Sequence, residues 1–313
     1  MKRLREFCLH HHIPVLWQAT MADYTSFRIG GRADAFLLPD SEAALGKAVD
    51  FLLKEEIPFR VIGNGTDLLV SDEGFRGALI STRHIRSVLV KDAEAKVGCG
   101  TPISVLCRRL ADACLGGMER LYGIPGTMGG AVFMNAGAYG ASVSEVVTLV
   151  SALDMKEGKT VALKGEDCGF SYRSSIFSKE RRYVILSVEI RLGRKKEAAV
   201  REEMRKYLSL RMEKQPTALP SAGSAFLRPE TGYAGKLIEE AGLSGFRVGG
   251  AAVSIKHAGF IVNLGEATAK DVCILMRHVV ERVKDTSGVT LVPEIEYIDV
   301  DGRVSNPLLA ELQ

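Results

Sequence analysis

The sequence predicts an α+β fold with more than one domain, and three observations lead to this prediction. Apolar residues recur at helical spacing in several segments, whereas shorter β-branched runs alternate as strands do. Two short glycine-rich turns follow such runs, and a longer glycine-rich segment covers residues 121–140. The composition changes after residue 191, where a densely charged segment begins. At 313 residues, the chain is long enough for two or three domains.

Two helices are predicted in the first part of the chain. Residues 41–54 carry an apolar stripe, with Asp40 or Ser41 available as the N-cap. A second helix is predicted to begin with Thr101 as its N-cap and Pro102 in its first turn. Short strands are predicted at residues 59–62, 78–80, 88–90, 96–97, 146–153, 160–163 and 183–192.

The second part of the chain alternates helices with short strands. Residues 194–214 form a charged predicted helix that ends before Pro216, and a glycine-rich stretch covers residues 221–250. A further helix starts at Thr268, and Asp271 completes a capping box with it. Strands are predicted at residues 251–255, 260–262, 289–292 and 295–300.

Composition and charge are those of an ordinary globular protein, with 46% apolar and 25% charged residues. The 41 basic and 38 acidic residues give a net charge of +3, which is too small and too interspersed to predict a nucleic-acid surface. No apolar stretch approaches the roughly 20 residues that span a bilayer, and the N-terminus lacks a signal-peptide core. We therefore expect a cytoplasmic protein without a membrane or nucleic-acid partner.

Cysteine and histidine positions do not predict a metal site. The six cysteines show no spacing typical of a metal site, which fits reduced thiols in a cytosolic enzyme. Residues 10–12 are three consecutive histidines, whose side chains would point about 100° apart on a helix and share one metal poorly.

The glycine-rich turns indicate close contact between the backbone and a ligand. Residues 63–68 and 98–103 each follow a β-like run, so their amides could bind a phosphate. Both turns lack the third glycine of a Rossmann fingerprint, and the chain contains no P-loop motif. The alternative for the long segment is a surface loop that contains several turns.

Ten short motifs occur in order between about residues 24 and 300. They are YTSFRIGG (24–31), GNGTDLLVSDEGFRG (63–77), GIPGTMGG (123–130), NAGAYG (135–140), SYRSSIF (171–177), PSAGSAF (220–226), AGKLIE (234–239), GFRVGG (245–250), KHAGFIVN (256–263) and LVPEI (291–295). Together they resemble the UDP-N-acetylenolpyruvoylglucosamine reductase family, in its shorter type.

This resemblance implies an FAD enzyme of the vanillyl-alcohol-oxidase-like (PCMH-type) flavin fold. Such an enzyme uses NADPH to reduce UDP-N-acetylglucosamine enolpyruvate to UDP-N-acetylmuramate, a step of peptidoglycan synthesis. The chain shows no residue assignable as a flavin tether, so we expect FAD to be non-covalently bound. We expect a monomer.

The resemblance also implies a domain organisation. Residues 1–195 are expected to form a two-lobed FAD-binding domain, split near residue 80. An α+β substrate-binding domain is expected at residues 196–293, and residues 294–313 are expected to return to the first lobe. The active site is expected between the two domains.

By the same resemblance, the glycine-rich motifs are expected to hold FAD. The expected cofactor residues are Gly63, Asn64, Gly65, Thr66, Asp67, Leu68, Gly123, Ile124, Gly126, Thr127, Gly129, Gly130, Asn135 and Gly137. The chain has Thr66-Asp67 where the family has Ser-Asn. Because an ionised carboxylate cannot donate a hydrogen bond, Asp67 is expected to brace the loop rather than to contact phosphate.

Tyr172, Arg228 and Lys236 are expected to bind the substrate. Leu227 stands where a lysine is common in the family, so the usual diphosphate contact of that position is in doubt. Arg228 or Lys236 is expected to supply the missing cation.

The reaction itself requires particular side chains. Hydride delivery to one carbon of an enol ether leaves negative charge on its neighbour, so the site needs a cation and a proton source. Arg173 can pair with the substrate carboxylate, Ser224 is the expected general acid, and Glu294 is expected to support the enolate. The alternatives are a surface ion pair for Arg173, a turn serine for Ser224 and an edge-strand glutamate for Glu294.

Two other functions compete with this interpretation. One is a different flavin oxidase or dehydrogenase of the same fold, which has no reason to carry this set of three residues. The other is a nucleotide-sugar-binding regulator without catalysis, which the presence of all three argues against.

Overall fold

A computed structural model describes residues Met1–Leu309, and the last four residues, which belong to the expected returning tail, lie outside it. The α-helices within residues 1–309 are α1 (Lys2–His10), α2 (Glu42–Lys54), α3 (Ile103–Asp112), α4 (Met128–Phe133), α5 (Ile176–Glu180), α6 (Glu197–Lys214), α7 (Ala234–Glu240) and α8 (Ala269–Ser287).

The strands of the first half are β1 (Val15–Thr20), β2 (Arg32–Leu37), β3 (Phe59–Ile62), β4 (Leu68–Val70), β5 (Phe75–Ser81), β6 (Val88–Lys91), β7 (Glu94–Gly98), β8 (Leu115–Gly116), β9 (Gly137–Ala138), β10 (Ala141–Ser142) and β11 (Val147–Asp154). The strands that follow are β12 (Lys159–Lys164), β13 (Tyr183–Arg191), β14 (Gly193–Arg194), β15 (Ser221–Ser224), β16 (Arg247–Val248), β17 (Ala251–Val253), β18 (Phe260–Asn263), β19 (Glu296–Ile298) and β20 (Val304–Ser305). One four-stranded sheet has the order β1-β2-β5-β3.

The described chain forms two compact units. The first contains Met1–Leu16, Phe36–Asn64 and Leu79–Leu210, and the second contains Trp17–Ala35, Gly65–Ala78 and the chain from Arg211 onward. These units interleave along the sequence, and the expected domain boundaries at residues 195 and 293 stay predictions.

The first unit is built around a five-stranded sheet of order β12-β11-β13-β7-β6. Strand β11 pairs antiparallel with both β12 and β13, and β13 pairs antiparallel with β7. Helix α4 packs against β7 and β13, so the glycine-rich segment that contains α4 is supported by the centre of this sheet.

The second unit contains a four-stranded sheet of order β15-β18-β17-β16 and a three-stranded sheet of order β20-β19-β4. Helix α8 packs against β16, β17 and α7, and its buried apolar stripe runs from Val272 to Val283. In the smaller sheet, β19 pairs in parallel with β4, so residues 296–298 lie beside residues 68–70. This pairing holds the glycine turn before β4 next to the segment that follows Glu294.

Several predicted elements are confirmed. Ser41 caps α2, because its Oγ accepts a hydrogen bond from the amide of Ala44 at 3.2 Å. The capping box of Thr268 and Asp271 starts α8, and both of its hydrogen bonds are 3.0 Å long. Strand β3 has the predicted bounds.

Other predictions are wrong in detail. Pro102, and not Thr101, is the N-cap of α3, because the Thr101 hydroxyl instead donates to the carbonyl of Ser87 at 3.1 Å. Residues 289–292 form no strand. Val292 makes one backbone contact there, accepting a hydrogen bond from the amide of Leu227 at 2.8 Å.

Candidate active site

Two of the glycine-rich segments meet in the first unit. Asn64 Nδ2 donates a hydrogen bond to the carbonyl of Pro125 at 3.1 Å. A Cβ atom on Gly63 would lie 2.5 Å from Thr127 Oγ1, so only glycine fits at this position. The Gly63 carbonyl in turn accepts a hydrogen bond from Ser81 Oγ at 3.1 Å. These contacts fix the turn at Gly63 against the Pro125–Thr127 segment.

The turn at residues 98–103 has a different function from the one that its sequence suggests. Its carbonyls accept the first amides of α4: Met128 donates to Thr101 and Gly129 donates to Cys99, both at 2.8 Å. A Cβ atom on Gly129 would lie 2.9 Å from that of Cys99. The glycine therefore allows close packing of helix and turn, and its amide is already bonded within the protein.

Other amides in the glycine-rich segments have no partner in the protein. Within residues 1–309, the amides of Gly126 and Thr127 make no hydrogen bond, and neither do those of Asn64, Gly65 and Thr66. Backbone amides that are left unpaired in turns of this kind are typical of anion sites.

Gly65 has a left-handed backbone, with φ at +65°, and a Cβ atom there would lie 2.6 Å from the carbonyl oxygen of Tyr24. The turn therefore needs glycine both for its conformation and for its space. With the unpaired amides beside it, this turn fits the diphosphate of a dinucleotide such as FAD.

Three other expected cofactor residues, Asp67, Leu68 and Ile124, make backbone contacts. Leu68 begins β4, and the carbonyl of Asp67 accepts a hydrogen bond from the amide of Glu296 at 3.1 Å. The Ile124 amide donates to Leu121 at 2.9 Å, one residue after Gly123. The bracing role of the Asp67 carboxylate stays a prediction.

Tyr172 and Arg173 form the tip of a tight turn in the first unit. Ser171 and Ser174 close the turn with two backbone hydrogen bonds of 2.9 and 3.2 Å. Arg173 has φ at +51°, a left-handed conformation that is strained for a non-glycine residue. Its side chain donates to the carbonyl of Gly137 at 3.2 Å and lies over the exposed Tyr172 ring, 5.5 Å from its centroid.

Asn135 joins this turn to the long glycine-rich segment. Its Nδ2 donates to the carbonyl of Ser171 at 2.9 Å, and its Oδ1 accepts a hydrogen bond from the Ser144 amide at 3.2 Å. Asn135 is buried, and its amide therefore braces the loop that presents Arg173. The structure thus brings Tyr172 and Arg173 together with two expected cofactor residues, Asn135 and Gly137.

Ser224 and Glu294 lie on neighbouring segments of the second unit. Ser224 ends β15 and pairs with Phe260 of β18, whereas the amide of Glu294 donates to the carbonyl of Ala225 at 3.0 Å. Both residues are half-buried. The Ser224 hydroxyl makes no hydrogen bond to any other residue among residues 1–309, so it can donate its proton to a ligand.

Arg228 lies three residues beyond Ala225 and stacks on an exposed tyrosine that sequence reasoning missed. Its guanidinium carbon lies 4.1 Å from the centroid of the Tyr233 ring. Lys236 lies in the first turn of α7, where it is exposed and 3.6 Å from Glu240. The signal for Tyr233 was an aromatic residue directly before the helix motif that begins at Ala234.

The buried Cys99 lies in the turn that packs against α4. Burial raises the pKa of the Cys99 thiol to about 12, which keeps this cysteine protonated behind α4.

Residues 1–309 contain no group of His, Cys, Asp or Glu side chains that could hold a metal ion. None of the helices in this range combines the length and apolar character needed to cross a bilayer.

Comparisons with known proteins match two parts of the chain to different family models. Residues 33–164 match a family model described as an FAD binding domain. Residues 215–298 match the C-terminal domain of UDP-N-acetylenolpyruvoylglucosamine reductase. The two models thus cover the glycine-rich segments and the segments that carry Ser224 and Glu294.

Relatives with the same name match nearly the whole chain. The reductase of Thermotoga sp. (strain RQ2) is 43% identical over 274 residues, which are 87% of this chain and 90% of the relative. That of Caldicellulosiruptor saccharolyticus is 41% identical and covers 95% of both chains. A crystal structure of UDP-N-acetylenolpyruvylglucosamine reductase from Thermus caldophilus superposes with a TM-score of 0.76 at 33% identity, covering 91% of this chain and 98% of the other. The predicted flavin fold class is confirmed.

Proposed function

The chain belongs to the UDP-N-acetylenolpyruvoylglucosamine reductase family, and on this premise we propose that it reduces UDP-N-acetylglucosamine enolpyruvate to UDP-N-acetylmuramate with NADPH. The observation that carries this proposal is the similarity of the chain to reductases of this name over 87–95% of its length, which includes the segments that hold the candidate cofactor and catalytic residues. The reaction makes the protein an oxidoreductase of peptidoglycan synthesis. We place it in the cytoplasm.

The glycine-rich segments would hold FAD, which, once reduced by NADPH, would supply the hydride that reduces the enolpyruvyl double bond. The unpaired amides of Asn64, Gly65 and Thr66 face no intramolecular acceptor and would bind its diphosphate. Those of Gly126 and Thr127 add donors from the second glycine-rich segment.

Arg173 binds the carboxylate of the substrate. A guanidinium can contact both carboxylate oxygens at once, and this pairing strengthens as negative charge spreads from the reacting carbon onto the carboxylate. The contacts of the guanidinium and of its turn support this role, because the Gly137 carbonyl and the Asn135 side chain fix the position of Arg173.

Ser224 donates the proton that completes the reduction. Its hydroxyl has no partner among residues 1–309, and a half-buried position limits competition from water. Glu294, on the adjacent segment, stabilises the enolate form of the substrate through its hydrogen-bonding partners. Both residues belong to rigid, paired backbone, which favours a fixed geometry.

Arg228 and Lys236 neutralise the diphosphate of the UDP-sugar, in place of the lysine that Leu227 replaces. The stacked Tyr233 ring limits the mobility of Arg228. Tyr172, more than half exposed, packs against the substrate beside Arg173.

Stopped-flow absorbance of the flavin tests the role of Ser224, because the proton is needed only after the flavin has been reduced. In Ser224→Ala, NADPH should bleach the flavin at about the wild-type rate. Reoxidation by the enolpyruvyl substrate should slow by about 10²–10⁴, the usual contribution of a positioned general acid. Ser224→Cys should recover part of this loss. Reoxidation of the alanine variant at the wild-type rate would show that the proton has another source.

A further inference from the structure

His257 lies in the turn that joins β17 to β18 in the second unit. Its Nδ1 atom accepts a hydrogen bond from the amide of Gly259 at 3.1 Å. The backbone carbonyl of His257 accepts another from Phe260 at 2.9 Å. The imidazole therefore closes the turn from within, as an asparagine side chain does when it bonds the amide two residues ahead.

The same turn holds the strand that ends at Ser224. The amide of Ala225 donates to the carbonyl of Gly259 at 2.8 Å, and Ser224 pairs with Phe260 across the sheet. Gly259 is thus bonded through its amide to His257 and through its carbonyl to the residue after Ser224. Any change in the turn is transmitted to the backbone that carries the Ser224 hydroxyl.

The imidazole has little freedom to move. A Cβ atom on Gly259 would lie 2.9 Å from His257 Cε1, and one on Gly235 would lie 3.3 Å from the same atom. The Phe260 ring packs edge-on at a centroid distance of 5.0 Å. Burial lowers the pKa of His257, against the weaker opposing effects of a backbone hydrogen bond and of Glu239, and so favours the neutral imidazole. Because Nδ1 accepts from Gly259, the proton of the neutral ring lies on Nε2.

We propose that His257 is a positioning residue for Ser224: its Nδ1 atom fixes Gly259, and Gly259 fixes the backbone that aims the Ser224 hydroxyl at the substrate. This inference rests on the proposed function, in which Ser224 donates the proton. His257 contacts neither reacting atoms nor cofactor in this account, and it acts through the turn alone.

Two substitutions of His257 distinguish the effect of moving the hydrogen-bond acceptor from the effect of losing the imidazole ring. In His257→Asn, Oδ1 replaces Nδ1 and can accept the Gly259 amide. In His257→Gln, the acceptor moves outward toward the place of Nε2. We expect flavin reoxidation by the substrate to slow by about 10- to 100-fold in the glutamine variant, because a small misplacement of a catalytic group is costly. The asparagine variant should stay within about threefold of wild type, and NADPH should reduce the flavin normally in both.

Hydrogen exchange gives a readout that does not depend on activity. The Ala225 amide, whose acceptor is Gly259, should exchange faster in His257→Gln than in His257→Asn or the wild type. His278 is the matched control, because it is half-buried in the same unit and stacks on Phe246 rather than on a residue of this turn. His278→Asn and His278→Gln should behave alike in both measurements.

The outcomes distinguish this inference from the proposed function. If Ser224→Ala reoxidises at the wild-type rate, the assignment of Ser224 fails. If Ser224→Ala is slow but His257→Gln is normal, or if Asn and Gln slow the step equally, only the role of His257 fails. In the double variant, His257→Gln should add no further slowing to Ser224→Ala. Nitrogen NMR of the wild type needs no variant, and a proton found on Nδ1 of His257 at neutral pH would overturn the inference.

Discussion

At the scale of single residues, the contacts of Arg173 and its turn fix the direction of the Arg173 side chain. Arg173 is the third residue of the turn from Ser171 to Ser174, a position at which several turn types require a left-handed conformation. Asn135 is bonded to this turn, and the Gly137 carbonyl accepts from the guanidinium. These contacts hold the Arg173 guanidinium in one direction.

Replacement of Arg173 by lysine should lower turnover by about 10- to 100-fold, because lysine is a point charge and cannot contact both carboxylate oxygens. Arg181→Lys is the matched control: Arg181 also has a left-handed backbone, at φ +52°, and lies over an aromatic ring, that of Phe133. Steady-state kinetics measure the turnover of both variants. Equal, near-normal turnover in the two would assign Arg173 to the surface.

Glu294→Gln tests whether turnover needs the carboxylate of Glu294, because it removes the charge of the side chain and keeps its shape. We expect turnover to fall by about 10-fold or more, since the amide accepts hydrogen bonds at one oxygen only and cannot hold, as the carboxylate can, the donor groups that contact the substrate. Thermal unfolding should be unchanged, because the substitution keeps the shape of the side chain and leaves the backbone hydrogen bond from Glu294 to Ala225 in place. A loss of soluble protein with the specific activity retained would indicate a structural glutamate instead.

At the scale of elements, the start of α8 shows how distant segments combine at a helix terminus. Thr268 and Asp271 form the predicted capping box, and the carboxylate of Asp72 also accepts the amides of Ala269 and Lys270, at 2.7 and 3.0 Å. The side chains of Asp72, Thr268 and Asp271 therefore accept hydrogen bonds from the backbone amides at the start of the helix. Negative charge at this end is favoured by the helix dipole.

Asp72→Ala should destabilise the second unit by about 1–2 kcal/mol, the usual effect of removing a capping side chain. Asp72→Asn should destabilise the unit less than Asp72→Ala, because the asparagine side chain keeps a hydrogen-bond acceptor and loses only the charge. Asp40→Ala is the control, since Asp40 is exposed and makes no hydrogen bond within residues 1–309. Chemical denaturation measures all three, and equal midpoints for Asp72→Ala and Asp40→Ala would refute the capping role.

The sequence predicted the elements whose signals are local. Helices α2 and α8 follow from an apolar stripe and a cap, and the short motifs identified Arg173, Ser224 and Glu294 as candidates. Contacts between distant segments were not predictable: Thr101 resembles an N-cap, but its hydroxyl bonds Ser87. Likewise, the glycine turn before α3 supplies carbonyls to α4 rather than amides to a ligand, because only the fold decides which side of a turn faces a neighbour.

At the scale of the whole molecule, the cofactor should be bound without a covalent link. The sites expected to hold FAD are turns and amides, and the buried Cys99 thiol near α4 is held protonated, so it is not a nucleophile for a flavin ring. Acid precipitation should leave the flavin in the supernatant. Flavin that remains with the precipitated polypeptide would contradict this prediction.

The central claim is that this chain passes hydride from NADPH, by way of bound FAD, to the enolpyruvyl group of a UDP-sugar. Anaerobic stopped-flow absorbance of the purified wild-type protein tests it most directly. The account predicts a yellow protein that NADPH bleaches and that UDP-N-acetylglucosamine enolpyruvate restores, with one UDP-N-acetylmuramate formed per flavin reoxidised. A reduced flavin that is reoxidised by oxygen but not by this substrate, or a protein that takes up no FAD when it is supplied, would contradict the account.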